Sequence, residues 1–491
     1  MVTLFIIGKT ITPIEFGYFV LGSSLSLLPT LLVGAGYYEA VLTRSIIGKS
    51  FSTAYWCSVL TGVLGTLLII AGAIGTWLLK LDPVVTTVMA GLSIVPLLWS
   101  ASQMHEAALI RSGEGAYLVV VTICSEVLGL LVLTIGAYSG YGVMALVAYR
   151  VTAAAVTVIV FFVLSPFSAA EGFDREFAFS NLPFGAGIAA NRLIGWFDGY
   201  GMDLLLASVL PIRELGVFKM ATRVHSSAYA VAVLAPNVVQ NSSMGTAHER
   251  GATRMAAIMR RFLILHSALA LPMFAGLAAS APLVLSLLLT PEWAGAQGVL
   301  IVLCLSAPFA ILANAVNATY IATRDTRRLA LFTLVSLFAG GAGLVAGASA
   351  GPTGAALGKA FIVGAVTLAF FANVNVLRGA PLWSAMRSMC STIAACAVQF
   401  AAVHFLIAEI PAHTGAIGGI AYLVLANLAG ACIYLAALRL TGPATFRLVS
   451  FLLIRSLLGS SPVVAQPPLD EPLAYAPPVR QAKRIRPLRW S

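Results

Sequence analysis

Arg150, Arg192, Lys219, Arg223 and Lys359 fall inside long apolar stretches, where a chain has least reason to carry charge. Glu126, Asp198 and Asp203 fall there as well. A charge at mid-bilayer costs about 2.5–3.5 kcal/mol on insertion scales, so each must face a polar cavity or a partner of opposite sign. Arg192, Trp196, Gly199 and Asp203 follow helical spacing and share one face; Lys219 and Arg223 are one turn apart, with Ser226 and Ser227 continuing that side. The chemistry open to such a set is recognition of an anion. Arg holds phosphate oxygens through a forked pair of hydrogen bonds, and Lys acts as a point charge.

Arg150, Arg192, Lys219, Arg223 and Lys359 are therefore the candidate lining of a cationic passage, and Glu126, Asp198 and Asp203 are candidate coupling or pairing acids. Simple pairing is the competing account. Asp203 ends one arm of a hairpin and Lys219 begins the other, so the two can satisfy each other, and Arg192 can satisfy Asp198 or Asp203. Glu126 is either a proton carrier or a hydrogen-bonded core residue. Glu39 lies near Arg44 and Tyr37/Tyr38, where ordinary pairing is expected. Asn314, Asn317, Asn373, Asn375 and Gln399 can bind sugar, but interhelical hydrogen bonding is the default for such residues. Cys57, Cys124, Cys304, Cys390, Cys396 and Cys432 all sit in apolar runs without metal-like spacing, so neither a disulfide framework nor a metal or other cofactor is expected.

The elements that must position these residues follow from composition. The chain has 491 residues, 59% hydrophobic and 10% charged, with mean hydropathy +0.95. No soluble core could bury that much apolar surface, so the fold class is an all-α polytopic membrane protein. The net charge of +11 is no sign of nucleic acid, because many of the bases fall in short gaps between apolar runs, as topology demands. A spanning helix needs about 20 apolar residues. On that measure the spans are 16–41, 53–79, 84–110, 116–138, 141–164, 182–208, 214–240, 260–288, 294–322, 327–349, 353–377, 381–408 and 415–440, about thirteen in all.

One short stretch occurs twice. Pro13-Ile14-Glu15-Phe16-Gly17-Tyr18-Phe19 returns as Pro211-Ile212-Arg213-Glu214-Leu215-Gly216-Val217-Phe218, each copy opening a long apolar run. Pro and Gly suit a tight turn, and the aromatic starts a membrane helix. A looser echo places Pro96 before Arg111 as Pro308 stands before Arg324. Matching corners roughly 200 residues apart point to two similar halves; convergent turn chemistry is the alternative. A full span, Leu182–Ser208, stands before Pro211, whereas only Val2–Gly8 resembles the end of one before Pro13. The first helix is thus expected to be mostly missing, with the native chain starting upstream or this form being truncated; restoring it gives about fourteen helices.

The expected organisation is an N-lobe at 1–165, a cytoplasmic linker at 166–180, a C-lobe at 181–378, an extra helix pair at 379–440 and a tail at 441–491. Within that tail 443–458 is apolar but too short to cross, so it is a candidate interfacial helix. Residues 461–491 are Pro-rich and end on Arg480, Lys483, Arg484, Arg486 and Arg489, a disordered basic segment drawn to anionic headgroups.

Ile11-Thr12-Pro13-Ile14-Glu15-Phe16-Gly17, Asp203-Leu204-Leu205-Leu206-Ala207 followed by Glu214-Leu215-Gly216-Val217-Phe218, and Leu289-Thr290-Pro291-Glu292-Trp293 resemble the corners of polysaccharide-transport (Wzx-type) flippases. These belong to the superfamily that includes lipid II flippases and multidrug (MATE) exporters. The resemblance runs to about residue 440 and departs from the family at the N-terminus. It implies two pseudo-repeated lobes of about six helices around a central cavity, plus two C-terminal helices. It also implies alternating access, a lipid-linked oligosaccharide as substrate, membrane lipids and polysaccharide polymerase or export machinery as partners, and a bacterial inner membrane location. A cation-coupled small-molecule exporter is the alternative within the fold, but it would want an acidic passage. A sugar polymerase or glycosyltransferase would need a substantial extramembrane loop, and the internal gaps are mostly short.

Topology follows from the bases. Arg44/Lys49, Arg111, Arg175, Arg250/Arg254/Arg260/Arg261, Arg324/Arg327/Arg328 and Arg378/Arg387 occupy alternate gaps, which the positive-inside rule makes cytoplasmic together with the tail. Single cysteines at Ser242 and Ser460 in a cysteine-free background are therefore expected to resist an impermeant thiol reagent in intact cells. Labelling of either from outside would invert the topology.

Overall fold

The structure is a computed structural model that describes residues 2–43, 46, 48–114, 116–165, 171–234, 236–237, 240, 243–245, 251–374, 380–409, 416–447 and 449–450. Helices make up its regular structure, and no strand occurs among the described residues. The first half runs α1 (Val2–Thr10), α2 (Pro13–Leu32), α3 (Tyr37–Thr43), α4 (Lys49–Leu78), α5 (Pro83–Leu92), α6 (Val95–Arg111), α7 (Ala116–Tyr138) and α8 (Val143–Leu164). A short α9 (Arg175–Ser180) leads to α10 (Leu182–Trp196), a π turn at Phe197–Gly201, α11 (Met202–Val209) and α12 (Ile212–Tyr229), which passes into a second π turn at Ala230–Leu234. The rest comprises α13 (Ala252–Ala279), α14 (Ala281–Leu288), α15 (Ala296–Leu305), α16 (Ala307–Ala322), α17 (Thr326–Ala348), α18 (Gly351–Ala372), α19 (Ala380–Ala408) and α20 (Ala416–Thr441).

Ten of these helices, counting α5 and α6 as one continuous span, are long and apolar enough to cross a membrane. The α15–α16 pair, bent by 47°, makes an eleventh. The protein is thus a polytopic membrane protein. Two of the thirteen spans expected from hydropathy do not pass the same test among the described residues. The 182–208 stretch is helical, but its π turn divides it into two short pieces. The 214–240 stretch begins as α12, whose Arg213, Glu214, Lys219 and Arg223 make it too charged. The basic tail after 450, Arg44, Arg250, Arg378 and Asn375 lie outside the described residues, as does most of the candidate interfacial helix.

Local chemistry sets the helix ends that matter here. Thr12 and Glu15 form a capping box: Glu15 N–H donates to Thr12 Oγ1 at 3.3 Å, and Thr12 N–H to Glu15 Oε2 at 2.9 Å. Two otherwise orphaned donors at the start of α2 are satisfied reciprocally. Asp174 caps α9 in the connection between α8 and α10, and hydrogen bonds, first from Phe177 N–H and then from the Ser50 hydroxyl, hold its carboxyl below the usual carboxylate range.

The repeated corners meet each other. A Cβ at Gly17 would overlap the Ile212 carbonyl oxygen, and a Cβ at Gly216 would overlap the Pro13 carbonyl oxygen. The first turns of α2 and α12 therefore cross backbone to backbone. Only glycine permits that approach, and close packing of this kind is what associates helices in lipid, where apolar burial alone gives no advantage. The third corner joins them. Phe16, fully buried, packs edge-on against Trp293 with ring centroids 5.8 Å apart. Arg213 Nη2 donates to Glu292 O at 3.0 Å, Thr290 N–H to Gly8 O at 3.0 Å, and Lys9 Nζ to Leu289 O at 3.0 Å. Chain segments near residues 10, 212 and 292 are thus tied into one knot at the same end of the bundle.

The crossing yields a direct test. Gly216→Ala forces two backbones apart, and overpacking of this sort costs typically about 1–3 kcal/mol, so the purified protein should melt at a lower temperature. Gly75→Ala is the control, because a Cβ there meets no heavy atom within 4 Å. Equal melting of the two variants would show that the crossing bears no stability.

Candidate functional site

Next to the knot, between α2 and α12, lies a cavity of about 340 Å³. Its lining is Phe19, Val20, Ser23, Ser24, Ser26, Leu27 and Thr30 of α2, Leu92 and Val95 at the α5–α6 break, and Arg150 of α8. Tyr200 and Asp203 around the π turn, with Lys219, Thr222, Arg223 and Ser226 of α12, complete it. Four residues singled out by charge, Arg150, Asp203, Lys219 and Arg223, therefore meet in one space. Three cations face one carboxylate, so the cavity is net positive.

Each charge is held differently. Asp203, 3% exposed, accepts from Lys219 Nζ at 2.8 Å and from Ser24 Oγ at 3.2 Å, both at Oδ2. The cross-hairpin pairing expected from sequence is present, and the paired Lys219 still lines the cavity. Lys219 Nζ also lies 6.0 Å from the centre of the Tyr200 ring. Arg223 has no carboxylate within ion-pairing distance among the described residues. Its guanidinium instead sits 4.9 Å over the Phe16 ring, a cation–π contact that offsets part of its desolvation and leaves its N–H donors available to a ligand. The corner motif thus reaches the site directly, since Phe16 braces the knot on one side and Arg223 on the other. Arg150 is exposed and lies 5.7 Å from the Tyr149 ring centre.

The other expected site residues lie elsewhere. Arg192 pairs with Glu39 at 2.7 Å, not with Asp198 or Asp203. Its Nη1 donates to Leu31 O at 2.9 Å and Val33 O at 3.0 Å, carbonyls at the C-terminal end of α2 that lack a helical partner and favour a cation. The shared face of Arg192, Trp196 and Asp203 does exist, but it is turned towards α2: Trp196 Nε1 donates to Ser24 O at 3.2 Å. Glu39, expected beside Arg44, additionally accepts from Gly36 N–H at 2.8 Å. Lys359 lines a separate cavity of about 150 Å³ with Phe218, Phe309 and Thr367. Glu126 accepts from the Tyr149 hydroxyl at 2.7 Å; it is hydrogen-bonded as one reading had it, but exposed rather than in the core. Asp198 is exposed within the π turn.

Among the amides, Asn314 Nδ2 donates to Tyr229 Oη at 3.3 Å and Gln399 Nε2 to Pro272 O at 3.0 Å, the interhelical bonding expected of them. Asn373 instead bonds its own helix at Ala369 O, 2.8 Å away. Sequence reasoning missed the hydroxyls of α2 that form one wall of the cavity. Their signal was present as Ser23-Ser24, Ser26 and Thr30 clustered within an apolar run.

A family model described as polysaccharide biosynthesis protein matches residues 6–298, more than half of the chain. Comparison with the curated proteins finds no match. Among solved structures, lipid II flippase MurJ in an inward closed conformation is similar with a TM-score of 0.66 at 12% identity, covering 93% of this chain and 97% of that one. An inward-facing multidrug resistance MATE family transporter of the MOP superfamily is similar with a TM-score of 0.60 at 12% identity, covering 79% of this chain and 94% of that one. At such identities the likeness establishes the fold.

The buried pair gives the site its own test. Removing one partner of a buried ion pair leaves an uncompensated charge and costs about 3–5 kcal/mol. Asp203→Asn alone and Lys219→Met alone should each lower the amount of folded protein in the membrane. The double variant should recover most of it. Additive losses in the double variant would mean that the two charges are not coupled.

Proposed function

Since this chain belongs to the polysaccharide biosynthesis protein family and has the MOP-superfamily fold, we propose that it is a flippase. Its substrate in this reading is an oligosaccharide repeat unit carried on undecaprenyl diphosphate, which it moves across the bacterial inner membrane. The single observation that carries the reading is the net-positive cavity between α2 and α12, with an Arg223 guanidinium that no carboxylate neutralises among the described residues. Hydroxyls and phosphates pay several kcal/mol or more each on entering hydrocarbon. A cationic, hydroxylated space removes that barrier for the head group while the polyprenyl tail stays in lipid.

In this account residues 1–165 and 181–378 are two lobes, with 379–440 as an added helix pair and the C-terminus on the cytoplasmic side. The reciprocal approach of Gly17 to Ile212 and of Gly216 to Pro13 supports a pseudo-symmetric pair. Arg150, Lys219 and Arg223 attract the diphosphate. Lys359, one cavity away, serves a second position along the path, and Arg192 holds α10 to the end of α2. Several separated bases of moderate strength suit a substrate that must also be released. Lys219 is partly neutralised by Asp203, so its grip is weaker than that of Arg223. A cation exporter would face repulsion from the same three bases.

Complementation of polysaccharide export, measured together with membrane abundance, tests the assignment. Arg223→Gln should abolish export at normal abundance, and Arg223→Lys should retain part of it. Arg192→Gln should act chiefly by lowering abundance. Normal export by Arg223→Gln at normal abundance would remove the cationic passage.

A further inference from the structure

The two sides of the cavity differ in hydrogen-bonding sense. Arg150, Lys219 and Arg223 carry only donors. Five hydroxyls of the lining, three on α2 and two on α12, have already committed theirs to their own helices. Ser23 Oγ donates to Val20 O at 3.1 Å, Ser26 Oγ to Gly22 O at 2.8 Å, and Thr30 Oγ1 to Ser26 O at 2.8 Å. On α12 Thr222 Oγ1 donates to Phe218 O at 2.9 Å and Ser226 Oγ to Thr222 O at 2.7 Å. A hydroxyl has one hydrogen, so each of these oxygens turns only lone pairs towards the cavity. Ser23, Ser26 and Thr30 repeat at intervals of three and four residues, which keeps them on one face of α2. That face is therefore an acceptor-only wall, and Arg223, with no anionic partner among the described residues, points donors into the same space.

An anion is repelled by the first wall and attracted by the second. A neutral group rich in O–H or amide N–H has the opposite preference. We propose that the α2 face, centred on Ser26 and Thr30, is a subsite for the sugar joined directly to the diphosphate, read through that sugar's hydroxyl or acetamido donors. The proposal rests on the flippase reading and deepens it. A cavity of about 340 Å³ accommodates a diphosphate with its first sugar, so discrimination falls on that residue and not on the remote end of the oligosaccharide. The walls also fix orientation: the phosphates lie towards α8 and α12, and the sugar lies towards the middle of α2.

The test uses the full chain in lipid nanodiscs and two probes, a short-chain polyprenyl diphosphate and the same lipid bearing one N-acetylhexosamine. Wild type should bind the glycosylated probe roughly tenfold more tightly, as one or two net hydrogen bonds would give. Ser26→Ala combined with Thr30→Val should bring that ratio close to one without weakening affinity for the bare diphosphate. Ser26→Thr, which keeps the hydroxyl, should preserve the ratio and show that the site is folded. Arg223→Gln should weaken both probes by the same factor. A wild-type ratio of one, or a double variant that weakens both probes equally, overturns the sugar subsite while leaving the flippase reading intact. Absence of binding by either probe, or indifference of both to Arg223→Gln, overturns the flippase reading and the subsite with it.

Discussion

The candidate site depends on one close approach, the crossing of α2 and α12 at Gly17 and Gly216. In a bilayer there is no hydrophobic gain from bringing apolar helices together, so contact distance decides which helices hold. Here the distance is set by main chain against main chain. The crossing brings the first turns of both helices together, with Phe16 between Trp293 and Arg223 and the cavity lined by the residues that follow on both helices. A looser crossing would lose the bracing ring of Phe16 together with the shape of the space beneath.

Charge inside that space is managed unevenly, and the unevenness is informative. Asp203 is buried and its Oδ2 accepts from both Lys219 and Ser24, contacts that offset part of its desolvation penalty. Arg223 receives an aromatic face instead of an acid. A protein built only for stability would neutralise both bases. Leaving one guanidinium with a weak partner keeps its N–H donors available, which is what the proposed diphosphate ligand would require.

Much of this was legible in the sequence because charges in apolar stretches are costly and therefore conspicuous. Arg150, Asp203, Lys219 and Arg223 stood out on that ground and converge in the cavity. The Pro–Gly corners at 13–17 and 211–216 were visible as an echo, though nothing in their spelling indicated that they touch. Arg192 was placed wrongly with respect to its partner because helical spacing sees neither Glu39 nor the open carbonyls at the end of α2. The two π turns were invisible, since hydropathy does not register an extra residue in a turn. Ser26 and Thr30 escaped notice for the opposite reason to the charges: a hydroxyl that bonds its own helix is inexpensive in lipid, so its presence raises no alarm.

The crossing also has a consequence for how this chain can vary. Two side chains that pack together can drift as a pair, a larger one compensated by a smaller. Gly17 has no such latitude, because what it faces is the carbonyl of residue 212, an atom that every amino acid supplies. The same holds for Gly216 against residue 13. Substitution at either glycine has no second-site remedy in its contact partner, because a smaller side chain at 13 or 212 would leave the clashing carbonyl in place. The covariation that reveals most helix contacts is therefore silent at the contact that shapes this site.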